Sequence, residues 1–121
     1  MPPKPRTLSD EERLDWLRLI RSENVGPITF YKLLETYGTA AAALEAAPKL
    51  ARRGGRLKPI TVCPKAQAMR EVEAHAKAGA RLVAFGEPDY PPELAHIYDP
   101  PPILSLRGHA HLFEKIGRAH V

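Results

Sequence analysis

Glycine and proline punctuate the first eighty residues at Gly26-Pro27, Gly38, Pro48, Gly54-Gly55, Pro64 and Gly79, cutting them into short helical segments. Within each segment, apolar residues recur at three- and four-residue steps, so the segments must bury their faces against one another. Ser9-Asp10-Glu11-Glu12 opens the first. A capping serine, Glu12 three residues later and acids in the positive first turn predict a helix to about Ser22. Leu14, Leu17 and Ile20, with Trp16 beside them, mark its buried face, and Arg13, Asp15, Arg18 and Arg21 lie mostly off it. Gly26-Pro27 breaks the chain and starts a second helix, on which Ile28, Tyr31, Leu33 and Leu34 recur until Gly38 supplies a stop. Thr39 caps a third, short helix through Ala47, which Pro48 is expected to end. Lys49 to Lys65 reads as a short helical turn and a mobile loop. Pro64 then opens a longer helix to about Ala78, with Ala66, Met69, Val72 and Ala76 inward, Glu71 and Glu73 outward, and Gly79 as its stop.

After Gly79 the period changes. Arg81-Leu82-Val83-Ala84-Phe85 reads as a short buried strand of an α/β sheet, and Asp89 to Leu94 as a turn entering a short helix. Asp99-Pro100-Pro101-Pro102 pins the chain extended before a second strand at Ile103 to Gly108. His111 to Ile116 suits one further helical turn, and Arg118 to Val121 the entry of another strand. The chain thus divides into a tail at 1–7 expected to be disordered, a helical unit at 8–79, and the start of an α/β unit at 80–121. Those last strands would find their neighbours outside this sequence, leaving edges and apolar faces uncovered.

Charge falls unevenly on these parts. Residues 1–65 hold 12 Lys/Arg against 7 Asp/Glu, a net of +5, whereas residues 66–121 hold 6 against 7, a net of −1. Lys49, Arg52, Arg53, Arg56, Lys58 and Lys65 fall in one stretch with no acid among them, a pattern able to displace counterions from a nucleic acid. The same run can equally be a solvated connector. No apolar run approaches the roughly 20 residues of a membrane span, the first residues lack the apolar stretch of a signal peptide, and Cys63 is the single cysteine. A reducing, cytoplasmic setting is expected.

The Val25-Gly26-Pro27 hinge between two helices is the sharpest local feature, because such hairpins can aim backbone N–H groups at a phosphate. In this reading Asn24, Gly26 and Ile28 supply or shape the contact and Lys32, one turn on, adds a charge. Arg52, Arg53, Arg56 and Lys58 complete the candidate DNA-binding set. The alternative is a plain helical corner with an ordinary surface lysine. His109-x-His111 lacks any further ligand at a recognised spacing, Cys63 lacks a base, and Asp89 and Asp99 suit turns. With no glycine-rich phosphate loop, nucleophile elbow or H-E-x-x-H motif, neither catalytic, cofactor nor metal residues are assigned.

From Phe85-Gly86-Glu87-Pro88-Asp89-Tyr90-Pro91-Pro92-Glu93-Leu94, through Ile97-Tyr98-Asp99-Pro100-Pro101-Pro102-Ile103-Leu104, to Arg107-Gly108, the chain resembles the DprA/Smf family of DNA-processing proteins. Here Asp89 directly precedes Tyr90, where the family pattern is closer to Asp-x-x-Tyr-Pro. Leu14 to Gly38 is similar to the family's sterile-alpha-motif-like helical domain, although the resemblance rests chiefly on residues 85–108. It implies a mainly α chain: a small SAM-like, helix-hairpin-helix domain followed by the first strands of a truncated Rossmann-like α/β domain. It also implies a non-enzymatic protein without cofactor that binds single-stranded DNA, helps load a RecA-type recombinase in natural transformation, and forms homodimers at full length. The family's glycine-Ser/Ala-arginine turn, which begins its DNA pocket, is absent; Arg118 to Val121 match only its lead-in. Two alternatives stand beside this: a helical protein–protein interaction module, and, by fold analogy alone, a nucleotide-processing enzyme of a related Rossmann-like fold.

Overall fold

The computed structural model describes residues 7–53 and 61–107. Along them run α1 (Asp10–Arg21), α2 (Pro27–Tyr37), α3 (Ala40–Arg53), α4 (Lys65–Lys77), β1 (Ala80–Ala84), α5 (Pro92–Ala95) and β2 (Ile103–Arg107), a mainly helical fold with one small sheet.

Local signals place the helix ends. At α1 the Ser9 hydroxyl accepts from the Glu12 N–H at 3.1 Å while a Glu12 carboxylate oxygen accepts from the Ser9 N–H at 3.2 Å, a reciprocal capping box. Gly38 closes α2 at φ +85°, a conformation that favours glycine. Trp16, Leu17 and Leu19 are buried on α1, and Phe30 and Leu33 on α2. Ile28 is 45% exposed, contrary to its expected place on the buried face. Two residues turn a helix by about 200°, so burying Phe30 puts Ile28 on the opposite side.

Two other expectations are corrected. Pro48 lies inside α3, which continues to Arg53. A proline removes one hydrogen bond and crowds the carbonyl four residues back, a cost confined to one turn, while Ala43, Leu44 and Ala47 are already buried just before it. On α4 the inward residue is Ala68, with Glu71 and His75 half-buried; Ala66, Met69, Val72 and Ala76 are exposed. The polar stripe wins because a partner awaits it. Both carboxylate oxygens of Glu71 accept from Arg21 of α1, Nε reaching Oε1 at 3.1 Å and Nη2 reaching Oε2 at 2.9 Å.

β1 begins one residue earlier than the apolar run suggested and pairs antiparallel with β2, in register from Ala80 with Arg107 to Ala84 with Ile103. Leu82, Ala84 and Ile103 join the same hydrophobic core as Trp16, Leu17, Leu19, Phe30, Leu33 and Leu44. Helices and strands on either side of Gly79 are therefore one packed unit. A ladder of edge-to-face rings ties them: Trp16 to Phe30 (5.0 Å between centroids), Phe30 to Tyr31 (5.2 Å), Tyr31 to Phe85 (5.6 Å) and Phe85 to Tyr90 (5.4 Å).

Candidate nucleic-acid interface

The turn between α1 and α2 is braced from below by the segment that leads into α4. Ser22 is buried, and its hydroxyl donates to the Arg18 carbonyl at 2.7 Å while accepting from the Cys63 N–H at 3.1 Å. Arg18 Nε donates to the Cys63 carbonyl at 3.0 Å, and the Glu23 N–H to the Thr61 carbonyl at 3.0 Å. Asn24 takes the left-handed conformation, φ +65°, and is the residue that lets the chain reverse. Gly26, where the chain breaks before α2, is ordinarily extended (φ −99°, ψ −176°), with nothing within 4 Å of where a Cβ would sit.

Gly26 caps α2 with its carbonyl, which accepts from the Phe30 N–H at 2.8 Å, but no side chain caps the helix. The N–H groups of its first turn, those of Ile28 and Thr29, lie at the positive end of the helix. Asn24, Gly26, Ile28 and Lys32 are all exposed, and Lys32 follows Ile28 by one turn. These four come together around the start of α2. Arg52 and Arg53 fall in the last turn of α3, the helix that packs on α1 and α2. Arg56 and Lys58 lie outside the described residues.

Sequence reasoning missed the polar anchors. Glu87, which follows Gly86 in the loop after β1, is buried, and its carboxylate accepts four hydrogen bonds: from Arg13 Nε (3.2 Å) and Nη2 (2.6 Å), from the Leu8 N–H (3.0 Å) and from the Ala84 N–H (2.7 Å). Burial pushes this carboxyl up, but the donors from Arg13, Ala84 and Leu8 together hold it below its usual range. Tyr31 and Tyr90 donate to the consecutive Pro100 and Pro101 carbonyls at 2.9 and 2.8 Å, so the proline run is held by its oxygens. Burial pushes the Tyr31 phenol well above the usual value, and that of Tyr90 up to about 12. Both hydroxyls stay protonated as donors. The one available signal was an acidic residue between Gly86 and Pro88, since Tyr31 and Tyr90 lie 69 and 11 residues from the carbonyls they hold.

A polar chain links three elements, from Arg21 through Glu71 to His75, whose Nε2 lies 3.3 Å from Glu71 Oε2 and whose Nδ1 lies 3.0 Å from the Ser105 hydroxyl on β2. A carboxylate only accepts, so Nε2 carries the proton. Arg21, first through its hydrogen bonds, holds the Glu71 carboxyl below its ordinary value. Asp89 makes an exposed ion pair with Arg81 at 2.7 Å, and Cys63 is buried. Among the described residues, no three His, Cys, Asp or Glu side chains gather as a metal site, and no helix is long and apolar enough to cross a membrane. His109 and His111 lie outside them.

A family model described as the DprA-like N-terminal HHH domain matches residues 10–74, more than half of the chain. No curated protein matches it. The family match starts at the first residue of α1 and ends within α4, and so falls on the helices rather than on the 85–108 string from which the resemblance was chiefly read. The chain belongs to the DprA family, and α1 to α4 form its helical N-terminal domain.

Proposed function

We propose that this chain is the front end of a single-stranded DNA-binding accessory protein of natural transformation and recombination, which helps load a RecA-type recombinase. The observation that carries the reading is the family match over residues 10–74, which spans the α1–α2 turn and the basic stretch. The protein works by binding rather than turnover, in the cytoplasm, and dimerises at full length through its α/β part. Residues 8–79 serve as the helical domain that modulates DNA or protein contacts. Within it, the uncapped start of α2 meets a phosphate, Lys32 adds a charge, and the charges of Arg52, Arg53, Arg56 and Lys58 add to the attraction for the polyanion.

Such a surface acts through counterion release, so binding by this chain is expected to be weak, about 10⁻⁴ to 10⁻⁶ M, and to weaken steeply with salt. Anisotropy of a labelled thymidine oligonucleotide across a salt series measures both. Reversing Arg52, Arg53 and Arg56 to Glu is expected to weaken binding at least about tenfold and to flatten the log–log salt slope by about 2, from three lost phosphate contacts at about 0.7 each. Gly26→Ala folds normally, given the open space at that Cβ, and reports separately on close backbone approach. Micromolar affinity indifferent to both salt and charge reversal sinks the reading. Lost DNA binding with intact recombinase binding separates it from a purely protein-binding module.

A further inference from the structure

α4 carries two stripes, and among the described residues only one of them is covered. Its polar stripe, Glu71 and His75, is taken by Arg21 and Ser105. Met69, Val72 and Ala76, spaced as a buried face, stay open, with Met69 47% and Val72 38% exposed. Val72 and Ala76 form one wall of an open groove of about 350 Å³ between α1, α4 and β1. Leu14 of α1 and Ala80 and Leu82 of β1 supply the rest of its apolar lining. Asp10 and Arg81, both exposed, set one charge of each sign at its rim.

The path of the chain points to what covers this groove. β2 runs back along β1, and its last residue, Arg107, stands opposite Ala80 on the groove wall. The chain thus leaves the sheet at the groove. Gly108-His109-Ala110-His111-Leu112-Phe113-Glu114-Lys115 follows, outside the described residues. Five residues span at most about 17 Å, so Leu112 and Phe113 come within reach of a groove that begins beside Arg107. We propose that Leu112 and Phe113 dock there against Val72, Ala76 and Leu82, so that the chain's own continuation covers the apolar stripe of α4. Glu114 and Lys115, directly after them, bring one charge of each sign to a rim that holds Arg81 and Asp10. A tethered segment meets the groove at an effective concentration in the millimolar range, which a second copy or a free partner does not reach. The docking joins the helical unit to whatever follows β2. It stands apart from the DNA reading, since Asn24, Gly26, Ile28 and Lys32 take no part in the groove.

Disulfide trapping in the full chain tests the docking. A disulfide needs Cα atoms within about 7 Å. Val72→Cys with Phe113→Cys is therefore expected to oxidise to a crosslinked monomer at least about tenfold faster than Glu35→Cys with Phe113→Cys, since Glu35 lies exposed on α2, which takes no part in the groove. Cys63 is buried and stays out of the exchange. In a second measurement, Phe113→Trp is expected to emit at shorter wavelength than free tryptophan and to shift back toward it when Val72→Asp is added. Circular dichroism verifies the fold, and buried Trp16 gives a constant background. Equal rates for the two cysteine pairs, or emission from Phe113→Trp that Val72→Asp leaves unmoved, overturns the docking. Crosslinked dimers from the first pair without crosslinked monomer overturn it as well, and give the groove to a second copy.

Discussion

Glu87 turns a loop carboxylate into the anchor of the N-terminus. Its four donors come from three places in the chain: the residue before the α1 cap, the first turn of α1, and the last residue of β1. The Ala84 N–H, at the end of β1, is satisfied by this carboxylate rather than by β2. Arg13 completes the knot by donating to the Leu8 carbonyl at 2.9 Å and to Asp10 at 3.0 Å. Removing one charge from so buried a pair leaves the other uncompensated, so Glu87→Gln is expected to cost about 3 kcal/mol in urea unfolding. Arg13→Lys should recover little, because a lysine cannot supply the two-pronged contact. The pH dependence has a definite sign. The folded carboxyl is held below its ordinary value, so its contribution is fully present above the unfolded value of about 4.3 and is lost as pH falls through the lower folded one. Unfolding free energy should therefore drop below about pH 5 more steeply in the wild type than in Glu87→Gln. Equal slopes would show that the pair is not coupled to folding.

At the scale of elements, the helix starts were legible because capping is local: Ser9 with Glu12, Pro27 and Pro64 each act within one turn. The end of α3 was not, because Pro48 reads as a stop from its own chemistry, whereas α3 persists on the burial of Ala43, Leu44 and Ala47. Pro48 thus costs α3 one hydrogen bond in mid-helix. Pro48→Ala is expected to stabilise the protein by about 2 kcal/mol, less than the full helix-interior penalty because proline also restricts the unfolded chain. A raised Tm with increased helical ellipticity checks this, and a lowered Tm would place Pro48 in a role other than an interrupted turn. The face of α4 escaped the sequence for another reason. Met69, Val72 and Ala76 have the right spacing for a core, and only the position of Arg21, fifty residues from Glu71, decides that the polar stripe turns inward. The candidate interface was half legible. The hinge is where the spacing put it, but the left-handed conformation of Asn24 that reverses the chain carried no sequence signal.

Across the whole molecule, the change of hydrophobic period at Gly79 marks a change of architecture without a change of core. Leu82, Ala84 and Ile103 pack with the helical residues, the ring ladder crosses from α1 to the loop after β1, and long polar ties join early residues to late ones, Leu8 and Arg13 to Glu87 and Tyr31 to Pro100. The string at 85–108 that first suggested the family is built into these ties, since Phe85, Glu87, Tyr90, Pro100 and Pro101 each hold a helix, a strand or the proline run in place. Parts so joined cannot open separately without exposing the shared core and orphaning Glu87. Unfolding is therefore expected to be a single cooperative transition, with Trp16 fluorescence, far-ultraviolet ellipticity and amide exchange at Leu82 and Val83 giving one midpoint. Phe30→Ala, at the centre of the ladder, should lower all three together by about 3–5 kcal/mol. The distinguishing result is exchange at Leu82 and Val83 that persists in the wild type under conditions where Trp16 remains protected. That would make the strand pair a separately opening unit, and the ties to Glu87 and Pro100 would then be too weak to transmit the position of α1 and α2 to whatever follows β2.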